Sequence, residues 1–220
     1  LPAAQPAVPD PRAARPSSQE SNISTNPIKT VCVFCGANPG KTPAYGDVAR
    51  RFGEMLAREG IGLVYGGGSV GLMGVVANAA RAGGSAVTGV IPYALLRREL
   101  GQAELGDLRI VNSMHERKAL MASLADAFVA LPGGIGTLEE IFEVVSWAQL
   151  GQHTKPCGFL NVDGYYDGLL SFIDHAVAEG FIKAQDKSLL VIERDPSAML
   201  SAIRAYRAPT VQKWIGREES

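Results

Sequence analysis

The stretch that decides the fold runs Ala127-Phe128-Val129-Ala130-Leu131, then Pro132-Gly133-Gly134-Ile135-Gly136, then Thr137-Leu138-Glu139-Glu140-Ile141-Phe142-Glu143-Val144-Val145-Ser146-Trp147-Ala148-Gln149-Leu150. Its first five residues are apolar without a break, the pattern of a strand buried on both faces. Proline and paired glycines then punctuate the chain. Beyond them Leu138, Ile141, Phe142, Val145 and Ala148 fall at helical spacing, which predicts a helix from Leu138 to about Leu150 with one apolar stripe. A buried strand that turns through glycines into a helix is half of a βαβ unit.

The same alternation extends both ways. Upstream, Thr30–Cys35 reads as a strand, Gly36-Ala37-Asn38-Pro39-Gly40 as a turn, and Ala44–Glu59 as a helix carrying Val48, Phe52, Met55 and Leu56 on one face. Ile61–Tyr65 is a second strand, followed by Gly66-Gly67-Gly68 and a helix from about Leu72 to Ala82. Ala86–Ile91 is a third, stopped by Pro92, and Tyr93–Asp107 reads as irregular. Leu108–Val111 and the helix Met114–Leu124 lead back to the opening stretch. Downstream come the strand Cys157–Val162, the helix Tyr166–Glu179, the strand Leu189–Ile192 and a last helix from Pro196. Strands alternating with helices, joined by right-handed crossovers, predict a mostly parallel sheet with helices on both faces. The expected architecture is a single Rossmann-like α/β domain over residues 28–210. Residues 1–27, rich in Pro, Ala and Ser, are expected to be a disordered tail, and 211–220 a C-terminal tail.

Composition narrows the function. Lys+Arg is 21 against Asp+Glu 22, so no net field favours DNA, RNA or an acidic membrane as partner. Apolar runs are broken well before the ~20 residues that span a bilayer, and the opening residues lack a secretory pattern; the expected location is the cytoplasm. Cys32 and Cys35 form a C-x-x-C, but inside a strand, where residues three apart face opposite ways; a packing role is expected. Cys157, His115, His153 and His175 complete no metal-ligand spacing, so neither a metal nor a redox cofactor is expected.

Two glycine-rich loops sit at carboxyl ends of strands, where open α/β sheets bind ligands. One is Tyr65-Gly66-Gly67-Gly68-Ser69-Val70-Gly71-Leu72-Met73-Gly74; the other is Leu131-Pro132-Gly133-Gly134-Ile135-Gly136-Thr137. Each opens a helix whose free N–H groups and dipole favour an anion, which makes a phosphate site credible. The dinucleotide fingerprint is poorly met, because the strand after the first loop ends in Pro92 rather than Asp or Glu, and no G-x-x-x-x-G-K-[ST] is present. Taken alone, Thr137-Leu138-Glu139-Glu140 is also a T-x-x-E capping box, in which Glu140 would bond back to the Thr137 N–H. Arg117 and Lys118, taken alone, read as a solvated helix start, and Arg97 and Arg98 as surface charge.

Together, Pro132-Gly133-Gly134-Ile135-Gly136-Thr137-Leu138-Glu139-Glu140 and Met114-His115-Glu116-Arg117-Lys118 resemble the PGGxGTxxE and ERK-like motifs of the LOG family (cytokinin riboside 5′-monophosphate phosphoribohydrolases, also described in the past as lysine decarboxylases). Cys35-Gly36, the Tyr65–Gly74 loop and Trp147-Ala148-Gln149-Leu150-Gly151 are similar to that family as well, and the resemblance spans residues 29–205. It implies hydrolysis of the N-glycosidic bond of a nucleoside 5′-monophosphate to free base and ribose 5-phosphate. It implies Arg117 and Glu140 as the catalytic pair, Glu99 and Lys118 as residues that hold the substrate, and Gly133, Gly134, Ile135, Gly136 and Thr137 as the phosphate site. Gly67, Gly68, Ser69, Gly71 and Met73 of the first loop join the expected binding set. A departure is Leu96-Arg97-Arg98-Glu99, where members often carry a Pro before the Arg-Glu. The family is usually a homodimer with pockets near the subunit interface. The rival from another class is a non-catalytic nucleotide or cofactor carrier of the same fold. The chemistry agrees with the hydrolase: breaking a ribosyl C–N bond builds positive charge on the sugar, which a carboxylate stabilises.

Overall fold

Val31 to Phe34 are buried without exception in β1 (Thr30–Phe34), as a strand covered on both faces requires. The computed structural model describes residues 27–99 and 107–209, with the side chains of 97–99 outside that description. β1 pairs in parallel with β2 (Gly62–Tyr65) on one side and β5 (Ala127–Ala130) on the other. β3 (Val87–Pro92) and β4 (Asp107–Val111) extend the sheet beyond β2, and β6 (Cys157–Leu160) and β7 (Leu190–Glu193) extend it beyond β5. The order is β4-β3-β2-β1-β5-β6-β7, seven strands with every pairing parallel. Because the chain adds strands outward from β1 on one side and then returns to add them on the other, the loops after β1 and β5 part in opposite directions. That parting opens a crevice at the centre of the carboxyl edge.

Alternation along the strands divides the core in two. Val31, Val33 and Cys35 face a layer built from α1 (Pro43–Arg58), α2 (Gly71–Ala82) and α8 (Pro196–Ala205). Cys32 and Phe34 face the other layer, with Met121 of α4 (Met114–Leu124) and Ile141 and Val144 of α5 (Ile135–Gln149). The two cysteines thus point to opposite faces, and both are free thiols. The second layer continues with Tyr166 and α6 (Asp167–Ala178).

Several elements differ from the sequence reading. Tyr93–Glu99 is a helix, α3, rather than irregular chain; Ala94, Leu95, Leu96 and Arg97 are all good helix formers. Pro92 does not stop β3 short but is its last residue, paired opposite Val111. β6 ends at Leu160 instead of Val162, because the Asn161 side chain accepts from the Tyr166 N–H (2.7 Å) and donates to Asp167 (2.6 Å), turning the chain into a single 3-10 turn over Val162–Gly164. A short helix α7 (Ala184–Lys187) precedes β7. The tails expected at 1–27 and 211–220 lie outside the described residues, apart from the exposed Pro27.

α1 and α2 approach closely at Gly53, where a Cβ would stand 2.5 Å from the Val76 carbonyl oxygen and 2.9 Å from Ala79 Cβ. Replacing glycine by alanine inside a helix ordinarily adds about 1 kcal/mol. Here the sign reverses: Gly53→Ala is expected to cost ~1–3 kcal/mol by overpacking, seen as a lower midpoint in thermal unfolding followed by circular dichroism.

Candidate active site

The crevice holds a cavity of about 400 Å³, walled by the loop after β1 (Gly36 to Gly40), the loop after β5, and side chains from α2, α4 and α5. The two loops are fastened to each other, since the Gly36 N–H donates to the Pro132 carbonyl (3.0 Å). α2 is fastened to the first of them: the Leu72 N–H donates to the Gly36 carbonyl (3.0 Å). That contact needs Gly71, whose φ is +61° and whose missing Cβ would collide with the Ala37 backbone.

The end of the cavity nearest α5 follows from how that helix begins. Gly134 is its N-cap and supplies no side-chain cap, so the helix starts at Ile135, ahead of the expected Leu138. The Leu138 N–H makes the first return bond, to Gly134 (3.1 Å), which leaves the amides of Ile135, Gly136 and Thr137 without intrahelical acceptors. With the helix dipole behind them, those amides favour an anion. The earlier start also removes the capping-box reading: Thr137 lies in the first turn rather than at the cap, and Glu140 turns to Arg117 instead of back to the Thr137 backbone.

Arg117 is not a solvated helix residue. Ser113 caps α4 by accepting from the Glu116 N–H (3.1 Å), and Glu116 in turn accepts from the Asn112 N–H (2.7 Å). So fixed, α4 points Arg117 inward, 6% exposed. Its Nε donates to the Val90 carbonyl and its Nη2 to the Gly66 carbonyl, both at 3.1 Å. Its Nη1 faces Glu140 Oε1 at 3.7 Å, and the Glu140 side chain is 12% exposed. A largely dry, paired cation and carboxylate therefore stand on the cavity wall next to the α5 amides. Cys35 shares that wall, but burial first, and the Glu140 charge second, push its thiol far up, so it stays protonated and is no nucleophile.

Of the residues expected from sequence, Arg117, Glu140, Gly133, Gly134, Gly136, Thr137 and Met73 line the cavity. Ile135 sits in the same first turn yet is outside the lining and 83% exposed. Gly67, Gly68, Ser69 and Gly71 are outside the lining. Lys118 is also outside the lining, with its Nζ on the carboxylates of Glu139 and Glu143. Glu99 ends α3, and its side chain lies outside the described residues. Among the described residues no cluster of His, Cys, Asp and Glu could hold a metal ion, and no helix is long and apolar enough to cross a membrane.

Sequence reasoning missed two tyrosines. The Tyr165 hydroxyl donates to the Gly133 carbonyl (2.7 Å), and the Tyr166 hydroxyl donates to the Leu131 carbonyl (2.6 Å), so consecutive residues brace the loop on either side of Pro132. Tyr45 of α1 meets Tyr165 edge to face, and both line the cavity. The only local signal was the Tyr-Tyr pair itself, just before a helix.

A parallel sheet whose reversal point offers unpaired helix amides and a buried Arg–Glu pair defines a nucleotide-handling α/β protein. A family model described as "Possible lysine decarboxylase" matches residues 73–203. A probable cytokinin riboside 5′-monophosphate phosphoribohydrolase of Oryza sativa subsp. japonica is 54% identical over 182 residues, covering 83% of this chain and 74% of the relative. A cytokinin riboside 5′-monophosphate phosphoribohydrolase of Arabidopsis thaliana is 52% identical over 179 residues, covering 81% and 82%. The chain belongs to this family, the LOG phosphoribohydrolases. Among solved structures, a molybdenum cofactor binding protein of Rippkaea orientalis superposes with a TM-score of 0.61 at 22% identity, covering 82% of this chain and 98% of that one. The molybdenum cofactor carrier protein of Chlamydomonas reinhardtii gives 0.59 at 18%, covering 81% and 98%. These two share the fold.

Gly66 offers a direct check on the arginine, because a Cβ there would overlap Arg117 Nη2. Gly66→Ala is expected to displace the guanidinium and lower kcat for base release from a nucleoside 5′-monophosphate by about 100-fold, the scale of a 1 Å misplacement. Steady-state assays on folded variant and wild type read this directly.

Proposed function

We propose that this chain hydrolyses the N-glycosidic bond of N6-modified adenosine 5′-monophosphates, releasing the free cytokinin-type base and ribose 5-phosphate. The observation that carries the reading is the buried Arg117–Glu140 pair facing the cavity beside the α5 amides. Relatives named for this activity are 54% identical to the chain over 182 residues and 52% over 179.

The 5′-phosphate sits on the amides of Gly134 to Thr137, at the positive end of α5. Glu140, in the second turn of the same helix, meets the sugar, so phosphate and anomeric carbon are gripped from one rigid element. As the C1′–N9 bond lengthens, the electron pair leaves with the base and positive charge grows on the ribosyl ring, which the Glu140 carboxylate stabilises. The same carboxylate orients a water towards C1′ and takes one of its protons as the water oxygen bonds C1′. That proton is returned through solvent to the departing ring nitrogen, which completes the free base and leaves Glu140 ionised again. Two nitrogens of Arg117 are held by backbone carbonyls, which leaves Nη1 to fix the Glu140 carboxylate. Binding energy from the phosphate positions the sugar, so ribosides lose turnover as well as affinity.

The working unit on this reading is a cytoplasmic homodimer that needs no nucleic acid, membrane or cofactor. The exposed Ile135, at the mouth of the site, suits a subunit contact beside the pocket. Chromatography of reactions with AMP, N6-isopentenyl-AMP and the matching ribosides tests the function. Free base from the monophosphates, with the N6-modified one preferred, and a ~10²–10⁴-fold loss in Arg117→Ala and Glu140→Ala, are expected. Binding without base release by folded wild-type protein would make the chain a carrier instead.

A further inference from the structure

Lys118 follows Arg117 on α4, and its side chain is spent away from the cavity. It is 9% exposed, and its Nζ donates to Glu143 Oε1 at 3.0 Å and to Glu139. Both acceptors belong to α5, four residues apart on one stripe that flanks Glu140. The Glu143 carboxylate is one-sided: its other oxygen, Oε2, is buried with no hydrogen-bond partner, so among the described residues Lys118 is the cation that compensates it.

We infer that Lys118 is a positioning residue for the hydrolysis, bolting α4 to α5 through Glu139 and Glu143 so that Arg117 and Glu140 meet in register.

The geometry leads there in steps. Arg117 is fixed to the sheet by two backbone carbonyls, whereas its contact with Glu140 is a long 3.7 Å. That distance is set by where α5 lies relative to α4, and the α5 N-terminus also carries the amides for the phosphate. A second link between the same two helices, one residue along on α4 and flanking Glu140 on α5 beyond the first-turn amides, therefore sets where Glu140 stands against Arg117. Three carboxylates, Glu139, Glu140 and Glu143, share the facing surface of α5, opposed by Arg117 and Lys118. Without the lysine, two like charges would press on Glu140 against the hold of Arg117. The lysine keeps its charge: burial acts to lower its pKa, but the two carboxylates outweigh burial and hold it above the ordinary value. An ion cluster of this kind adds little net stability over an apolar contact, but removing one partner strands buried charge and shifts what it held.

The inference rests on Arg117 and Glu140 being the reacting pair, and wild-type base release, measured alongside, reports on that reading separately from the variants. The test is kcat and KM for Lys118→Met, Lys118→Arg, Glu139→Gln/Glu143→Gln and the triple variant, each with its thermal unfolding midpoint. Lys118→Met is expected to lower kcat at least ~10-fold with KM within about 3-fold, the signature of a shifted catalytic group rather than a lost substrate contact. Lys118→Arg should recover kcat to within about 3-fold, and the triple variant should be no slower than Lys118→Met, because the residues act as one unit. A raised KM with kcat intact would place Lys118 on the substrate and overturn the inference. So would wild-type kinetics in folded Lys118→Met, or losses that multiply in the triple variant. Where Lys118→Met does not fold, the Glu139→Gln/Glu143→Gln variant decides: an unchanged kcat rejects the bolt, and a fall in kcat at unchanged KM supports it.

Discussion

A guanidinium shut away from water must be surrounded by acceptors, and Arg117 finds its acceptors in the carbonyls at the carboxyl ends of β2 and β3, from Gly66 and Val90. Much of the local architecture serves that fit. Gly66 has no Cβ because the guanidinium occupies its place. Ser113 caps α4 one turn ahead of the arginine and fixes where that helix begins. The remaining nitrogen is turned towards Glu140, and the charge buried to hold it there is matched by a carboxylate on the neighbouring helix. Since a buried ion pair yields little net stability against apolar side chains of the same size, the arrangement is better understood as geometry maintained for chemistry.

The reversal of strand order at β1 and β5 supplies the other half. It parts two loops over the middle of the sheet, and the glycines in both allow backbone to stand where side chains would block a ligand. The hydroxyls of Tyr165 and Tyr166 brace one loop from behind, which keeps the first amides of α5 aimed into the cavity. The molybdenum cofactor binding and carrier proteins share this fold. The buried pair formed by Arg117 and Glu140 stands on the wall of that cavity, and on the proposed function it is the reacting pair.

Most of the sheet is legible because parallel strands carry apolar runs, and because α1 and α5 each show a helical period between glycine or polar punctuation. α3 is hard to read because its seven residues follow directly on Pro92, and β6 reads too long because Val162 extends its apolar run whereas the Asn161 side chain turns the chain. In the site, Arg117 and Glu140 were legible through motifs, but their burial was not, since Val90, Gly66 and Glu140 come to Arg117 from distant parts of the chain. Glycine-rich sequence does not distinguish residues that line the cavity, such as Gly133 and Gly134, from residues such as Gly71, whose freedom serves a backbone crossing against Ala37. The start of α5 was misplaced by three residues because Thr137 and Glu140 spell a capping box that the preceding glycines pre-empt. Tyr165, 32 positions from the carbonyl it binds, left no local trace.

The most direct test of this account is a crystal structure of the Glu140→Gln variant with AMP bound, a form expected to bind the nucleotide and not cleave it. The 5′-phosphate is expected on the amides of Gly134 to Thr137 and the C1′–N9 bond within reach of the substituted side chain at position 140, with Arg117 still on the Gly66 and Val90 carbonyls. A nucleotide bound in the cavity with its phosphate away from α5, or its glycosidic bond away from position 140, would contradict it.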